Sequence, residues 1–229
     1  MVFAGCRPGA AGSGVCDVRP PRFFTDPVQP DLGLLLNSHA TGTPSDWVVR
    51  WTPLAAPQGT VLDVACGAGR HMAWFAEQGF RVTGIDRNPA AATAANAFGQ
   101  VVVVDIENAA WPLLYKAMPL QFDVLVVTNY LWRALFPTLL ASVKPGGVLL
   151  YETFALGNET VGKPSRPDFL LCPGELLQLC QGFRVVAFED GFVDAPARFV
   201  QRIAAIAPGA PASQGVAPRR YPLSLKSTL

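Results

Sequence analysis

The stretch from Thr60 to His71, TVLDVACGAGRH, constrains the fold of this chain more than any other. Its first residues form an apolar run rich in β-branched side chains, which predicts a buried strand. The run ends abruptly at Gly67-Ala68-Gly69, and a helical pattern follows through Phe75. A strand, a glycine turn and a helix in this order form a nucleotide-binding corner, because glycine lets the backbone approach a ligand without a Cβ in the way.

Downstream of this corner the sequence alternates strand-like and helical segments with short connections, which is typical of a parallel α/β sheet. Two further strand-like segments, Arg184–Glu189 and Ala197–Ala207, are expected to pair as a terminal antiparallel hairpin. We therefore predict an α/β fold with a doubly wound, mostly parallel seven-stranded sheet that ends in this hairpin. The five parallel strands are predicted at 60–66, 81–86, 101–104, 122–127 and 148–153.

The length of 229 residues suits one domain with short appendages. Residues 1–37 are rich in glycine, proline and alanine, and we predict an irregular, flexible leader there. The predicted domain covers 38–207. Residues 208–229 lack periodicity and acids but hold basic side chains, so a disordered basic tail is predicted.

The composition speaks against several classes of function. The formal net charge of +1 gives no electrostatic reason to expect nucleic acid or an anionic membrane as a partner, although the basic tail leaves a nucleic-acid substrate open. No window approaches about 18 consecutive apolar residues and no signal peptide is indicated, so a cytoplasmic protein is expected. Five cysteines without C-x-x-C spacing and two distant histidines argue against disulfides and a metal site.

Three successive predicted strands end in an acid: Asp63, Asp86 and Asp105. The carboxyl ends of parallel strands meet at one edge of a doubly wound sheet, where such folds bind ligands, so we expect the three carboxylates around one cleft. Asp63 directly precedes the glycine turn, where an acid suits a cationic amine and would repel a pyrophosphate. This favours S-adenosylmethionine over a dinucleotide as the ligand.

Each of the three carboxylates then has a partner on that ligand. Asp63 is expected near the methionine amino group, through water or backbone. Asp86 follows Gly67 by 19 residues and is placed to accept both ribose hydroxyls. Asp105 is expected at the adenine amino group, while Ile106 packs against the ring.

These segments resemble the motifs of class I (Rossmann-like) S-adenosylmethionine-dependent methyltransferases. LDVACGAGRH is similar to the first motif, and VTGIDRNP, VVVVDIENAAWPL, FDVLVVTNYL and VKPGGVLLYET are similar to the second to fifth. The run from GRH to VTGID is also similar to small bacterial methyltransferases of the tellurite-resistance type. Ala65 stands where the family more commonly has glycine. Nothing at 128–131 matches the N-P-P-Y signature of enzymes that methylate amino groups in DNA or protein.

The resemblance implies S-adenosylmethionine as cofactor, no metal, and methyl transfer by in-line displacement, which needs positioning more than acid–base chemistry. Tyr130 is the first candidate for lining the transfer site, and Glu152 is a candidate base or substrate contact. His71 either faces the substrate or lies on the surface at the start of a helix. The residues implied in cofactor binding are Asp63, Ala65, Cys66, Gly67, Gly69, Asp86, Arg87, Asp105, Ile106 and Asn129.

Two segments outside the motifs are candidates for shaping the site. Ser45 is expected to cap a short helix in which Trp47 and Trp51 share one face, and this helix either packs on the sheet or covers the cofactor as a lid. The loop from Gly157 to Leu170 is too long for a simple connector. Its basic residues and Phe169 suit a pocket for an anionic or polar small molecule, and the alternative is a surface loop ordered by its prolines.

Several functions remain open from the sequence. A small-molecule acceptor is favoured by the near-neutral charge and the absence of an added recognition domain, with RNA or protein as the alternative. A non-catalytic S-adenosylmethionine-binding protein and aminopropyl transfer from the decarboxylated cofactor would share the fold. An NAD-dependent oxidoreductase would fit Gly67, Gly69 and Asp86, but Met72 stands where its third glycine is expected and Asp63 would face the phosphates.

Overall fold

The computed structural model of the protein describes residues 42–209 and 220–223. The predicted leader, 1–37, lies outside the described residues, and so does the predicted tail apart from 208–209 and 220–223. Within the described ranges, no helix is long and apolar enough to cross a membrane.

A seven-stranded sheet lies at the centre of the described fold. In chain order the strands are β1 (Thr60–Val64), β2 (Arg81–Asp86), β3 (Gln100–Val103), β4 (Leu114–Tyr115), β5 (Met118–Pro119), β6 (Phe122–Thr128), β7 (Val143–Phe154), β8 (Arg184–Asp194) and β9 (Ala197–Ile206). The large sheet has the order β3-β2-β1-β6-β7-β9-β8, while β4 and β5 form a separate small hairpin. Neighbours pair in parallel except around β9, which is antiparallel to both β7 and β8. The predicted α/β fold with its terminal antiparallel hairpin is confirmed.

Helices cover both faces of this sheet. They are α1 (Asp46–Trp51), α2 (Arg70–Glu77), α3 (Pro89–Ala95), α4 (Phe136–Ala141) and α5 (Glu175–Leu179). Residues of α1, α2 and α3 pack in one hydrophobic cluster, and residues of α4 and α5 pack in another. Within β1, Leu62 and Val64 belong to one cluster and Val61 belongs to the other. Because both of its faces are covered, all of β1 is buried, which explains its continuous apolar run.

Helix α1 packs on the sheet. Ser45 caps it, since the Ser45 side chain accepts a hydrogen bond from the Trp47 backbone N–H at 3.2 Å. Trp47, Val48 and Trp51 are buried together on one face, and the Trp47 indole N–H donates to the Ile203 carbonyl of β9 at 3.2 Å. Of the two interpretations of this segment, the structure matches the packed helix.

Candidate functional site

The glycine corner joins β1 to α2 through a turn with three left-handed residues. Ala65 has φ +56°, and Gly67 and Gly69 have φ +55° and +86°. A Cβ on Gly67 would meet nothing within 4 Å, so this part of the turn presents open backbone. A Cβ on Gly69 would lie 2.8 Å from the Ala95 Cβ, so glycine here lets α2 approach α3. The two glycines therefore have different tasks, exposure of the backbone and close packing.

Asp86 ties the end of β2 to this corner. One of its carboxylate oxygens accepts the Gly67 backbone N–H at 2.7 Å, and the other accepts the Asn88 backbone N–H at 2.8 Å. The Cys66 backbone N–H also crosses to β2, donating to the Ile85 carbonyl at 3.0 Å. The glycine turn is therefore held in place by the neighbouring strand.

Asp63 is a buried acid without a hydrogen-bond donor for one of its oxygens. The residue is 1% exposed, and Oδ2 has no hydrogen-bond partner among the described residues. Burial raises the pKa of this carboxyl to about 8; the Arg70 guanidinium opposes the rise and the Asp86 carboxylate adds to it. An unpaired buried acceptor destabilises a fold, so Asp63 is a candidate partner for a cationic group of a ligand.

Asp105 follows β3 and presents a charged carboxylate. Hydrogen bonds from the Asn108 amide, at 2.9 Å, and from the Glu107 backbone N–H, at 3.1 Å, hold its pKa below the usual value. Both bonds come from its own turn, which fixes the orientation of the carboxylate at the end of the strand. Asp105 and Asp86 therefore stand as two ordered acids at neighbouring strand ends.

A cavity of about 330 Å³ lies over the carboxyl ends of β2, β3, β6 and β7. It brings together a majority of the predicted site residues, namely Ala65, Asp86, Arg87, Asp105, Ile106, Asn129 and Tyr130. The other lining residues are Ile85, Val104, Glu107, Leu131, Thr153, Phe154, Pro164 and Phe169. Asp63, Cys66, Gly67 and Gly69 form the adjoining corner and do not line the cavity wall. Sequence reasoning did not assign Ile85, Val104, Glu107, Leu131 and Phe154 to the site, whereas Pro164 and Phe169 lie in the loop, 157–170, that was a candidate for shaping it.

Tyr130 lines the cavity with its hydroxyl buried. That hydroxyl has no hydrogen bond of good geometry to any of the described residues. Burial raises the pKa of Tyr130 above its usual value, and the Glu107 and Asp105 carboxylates raise it further. The phenol therefore keeps its proton at neutral pH and is available as a hydrogen-bond donor in the cavity.

Glu152 lies in a buried ion-pair network beside the cavity. It is completely buried, and its two carboxylate oxygens lie 3.3 Å from the guanidinium groups of Arg198 and Arg202. The Ser45 hydroxyl donates to the same carboxylate at 3.1 Å. Its neighbour Thr153, and not Glu152 itself, lines the cavity. A role for Glu152 as base or substrate contact stays a prediction.

His71 is buried, at 2% exposure, and faces neither solvent nor the cavity. Its Nε2 accepts the Ser45 backbone N–H at 3.1 Å, which leaves the ring proton on Nδ1, 3.4 Å from the Thr128 hydroxyl oxygen. Burial lowers the pKa of His71 to about 3, and the Arg70 charge lowers it further. The neutral ring therefore fastens the segment before α1 to the end of β6.

This buried histidine should make stability depend on pH. Its pKa is lower in the folded chain than the ordinary value of 6.5, so its contribution is complete above pH 6.5 and is lost as pH falls toward 3. His71→Gln keeps an acceptor for Ser45 but cannot titrate. We expect urea unfolding to show that the wild type loses about 2 kcal/mol more than this variant between pH 6.5 and 5, at about 1.4 kcal/mol per unit. Parallel pH profiles of the two proteins would contradict the assignment.

Comparison with known proteins gives one family and several more distant similarities. The model of the methyltransferase domain family matches residues 36–179. The malonyl-[acyl-carrier protein] O-methyltransferase of Serratia marcescens is 35% identical over 109 residues, which are 44% of this chain and 41% of that protein. The putative methyltransferase YqeM of Bacillus subtilis is 31% identical over 135 residues, 51% of this chain and 50% of that protein. The chain therefore spans half or less of the length of these relatives.

The fold is also shared with solved structures. The structure of TehB from Haemophilus influenzae superposes with a TM-score of 0.59 at 19% identity, and the match covers 72% of this chain and 62% of that one. Similarity at this level of identity establishes the arrangement of strands and helices, in agreement with the seven-stranded sheet and its antiparallel end.

Proposed function

This chain belongs to the methyltransferase domain family, and from that premise we propose that it transfers the methyl group of S-adenosylmethionine to a small-molecule acceptor. One observation carries the choice of cofactor. The Asp63 carboxyl is buried, lacks a donor for Oδ2 within the described structure, and adjoins the open backbone of Gly67. An ammonium group would supply the missing donor and the opposite charge, whereas a pyrophosphate would supply neither.

We assign the remaining contacts along the strand ends. Asp86 accepts the ribose hydroxyls with the lone pairs that its two backbone bonds leave free. Asp105 accepts from the adenine amino group, and Ile106 packs on the ring. Ala65, Cys66, Arg87 and Asn129 complete the proposed cofactor site. The fit rests on the unpaired Asp63 oxygen and on the space that Gly67 leaves for a ligand.

The chain's own residues contribute position and exclusion of water. When bound, S-adenosylmethionine supplies a methyl group activated by its sulfonium charge, so strong acid–base groups are dispensable. Tyr130 is the proposed contact at the transfer site, where its protonated hydroxyl donates a hydrogen bond. Glu152 is proposed to act through Thr153, since its ion pairs with Arg198 and Arg202 fix the end of β7.

The size of the cavity supports a small acceptor. Its volume of about 330 Å³ is at the lower end of the range of roughly 300–1,000 Å³ for small-molecule sites, and the cofactor would take up part of it. Phe154, Pro164 and Phe169 line the side over β7. RNA and protein acceptors rank second, because the formal net charge of +1 gives no electrostatic reason to expect nucleic acid.

Calorimetry tests the cofactor. We expect S-adenosylmethionine and its demethylated product, S-adenosylhomocysteine, to bind in the micromolar range that is typical of enzymes, and NAD to give no heat of binding. The opposite pattern would refute the proposal. Labelled methyl transfer from S-adenosylmethionine into the small-molecule and RNA fractions of a cell extract then tests the acceptor, and label in RNA alone would favour the second-ranked acceptor.

A further inference from the structure

We propose that the end of the cavity over β6 and β7 is an acceptor site for an uncharged, apolar, ring-bearing small molecule. We further propose that Arg133 positions the wall of this site. The inference rests on the proposed function, because an acceptor site presupposes that the cofactor occupies the opposite end.

Strand order separates the cavity into two chemically different ends. Because the strand order across the sheet is β3-β2-β1-β6-β7, the carboxyl ends of β2 and β3 lie on one side of β1, and those of β6 and β7 lie on the other. The charged lining residues, Asp86, Arg87, Asp105 and Glu107, follow β2 and β3. At the other end the described lining residues carry no charge, and they are Asn129, Tyr130, Leu131, Thr153, Phe154, Pro164 and Phe169. Apolar rings with an amide and two hydroxyls among them suit a largely apolar, uncharged ligand with one or two polar groups.

The basic residues of the loop after β7 do not reach this end. Lys163 is exposed. The Arg166 guanidinium pairs with the Asp168 carboxylate at 2.8 Å, and both side chains are 71% exposed. The same guanidinium lies 5.1 Å from the centroid of the Phe169 ring, so it stacks on the wall instead of pointing into the cavity. We therefore expect an apolar ligand at this end of the cavity, and not the anionic or polar one that these residues suggested in the sequence.

Arg133 fastens this wall to the end of β6. Its guanidinium donates to the carbonyls of Asp168 and Leu170, at 2.8 Å each, on both sides of Phe169. It also pairs with both carboxylate oxygens of Glu175 at the start of α5, at 2.6 and 2.9 Å. The Glu175 carboxylate in turn accepts the Cys172 backbone N–H at 2.8 Å. One side chain thus binds the loop and α5 at once.

This arrangement depends on the shape of the guanidinium group. A planar fork with five donors can serve a carboxylate and two carbonyls together, whereas the point charge of lysine cannot hold the same geometry. Hydrogen bonding to Glu175 raises the pKa of Arg133, and the pKa of Glu175 is lowered in return. The Arg133–Glu175 pair therefore stays ionised across the neutral pH range. Because Arg133 also binds the carbonyls on both sides of Phe169, it holds Phe169 in position.

Binding of two matched probes tests the chemical class. Protein saturated with S-adenosylhomocysteine is titrated with 1-naphthol and with 1-naphthoate, and probe fluorescence is followed. We expect naphthol to bind roughly tenfold or more tightly, because a carboxylate buried here would be unpaired. Equal or tighter binding of naphthoate, or no binding of naphthol, would overturn the proposed apolar acceptor site but not the proposed methyl transfer. Failure of S-adenosylhomocysteine to bind in the first step overturns the proposed function instead.

Substitutions in the loop test the wall. Phe169→Ala should weaken naphthol binding roughly tenfold through lost apolar contact, while the affinity for S-adenosylhomocysteine stays at the wild-type value. Lys163→Ala, on the same loop but exposed, is the matched control and should bind both ligands as the wild type does. Equal naphthol affinities in the two variants would show that Phe169 is not part of the site.

Arg133→Lys tests the positioning role of Arg133, with Arg50→Lys as a control in an exposed ion pair with Glu189, outside the loop. We expect Arg133→Lys to weaken naphthol binding several-fold, to leave S-adenosylhomocysteine binding unchanged, and to speed amide hydrogen exchange at Phe169 and Leu170. The control should change none of these. Wild-type naphthol affinity in Arg133→Lys, or an equal loss for both ligands, would overturn the positioning role.

Discussion

Replacing Asp86 with alanine should weaken the binding of S-adenosylhomocysteine roughly ten- to a hundredfold, because charge-assisted hydrogen bonds worth about 1.5–3 kcal/mol are lost. The structure adds a second reason. One oxygen of the same carboxylate accepts the Gly67 backbone N–H at 2.7 Å, so the substitution also releases the glycine turn. Calorimetric titration of both proteins at one pH measures the difference.

Asp123→Ala is the matched control for this experiment. Asp123 lies at the start of β6 and accepts from the Thr60 backbone N–H and hydroxyl at 2.7 and 2.8 Å and from Lys144 at 2.8 Å. These bonds are at the opposite end of the strands from the cavity, so their loss should lower the melting temperature without changing affinity. Unchanged affinity in Asp86→Ala would show that the ribose assignment is wrong. A similar loss in Asp123→Ala would show that the effect is a general loosening of the sheet.

The order of strands and helices could be predicted because the strands in the middle of the sheet, β1 and β6, are buried along nearly their whole length. A covered strand such as β1 must be apolar throughout, and that pattern is visible in the sequence. The start of β7 could not be predicted. The strand begins at Val143 instead of the expected 148. The register shifts between the Phe122–Val143 and Val124–Val148 pairs, so residues 144–147, whose sequence resembles a turn, are part of the strand.

The small β4–β5 hairpin also escaped prediction. Its turn residues Lys116 and Ala117 have φ +48° and +64°, the conformation that two-residue hairpin turns require and that Asn-Gly usually supplies. Neither residue prefers this conformation, so no local signal marks the turn.

The acids of the candidate site were predictable because parallel strands bring their carboxyl ends together, so the sequence places Asp86 and Asp105 at one edge without knowledge of side chains. The surroundings of Glu152 were not predictable. Its register puts it opposite Thr128 on β6 and Arg202 on β9, and the latter partner is 50 residues away in the chain. Pairing over that distance depends on the antiparallel register of β9, which leaves no local pattern.

Cofactor binding should release a proton from Asp63 and should therefore strengthen with pH. Burial raises the pKa of this carboxyl to about 8 in the free protein, so it is largely protonated at pH 6 to 7. A cationic amine binds only the carboxylate, which means that full affinity is present above pH 8 and is lost as pH falls. The loss should approach tenfold per unit below the pKa, which gives roughly fiftyfold between pH 8 and 6.

Comparison with Asp63→Asn separates the titration of Asp63 from that of the ligand's own amine. The ligand amine titrates in the same way in both experiments, whereas Asp63 titrates only in the wild type. The variant should bind S-adenosylhomocysteine weakly, with no dependence on pH between 6 and 8 beyond that of the ligand. Calorimetry in buffers of different ionisation enthalpy should count about one proton released at pH 6.5 in the wild type and none in the variant. Identical pH slopes in the two proteins would contradict the assignment of Asp63 to the amino group.

The same substitution should stabilise the protein when no ligand is bound. The pKa of Asp63 is higher in the folded chain than its ordinary value of 3.8, so the wild type loses stability as pH rises from 3.8 through about 8. Asparagine carries no charge at this position, and the free variant should therefore melt at a higher temperature than the wild type at pH 8. A gain in stability together with a loss of affinity would show that the buried carboxylate of Asp63 serves ligand binding and not folding.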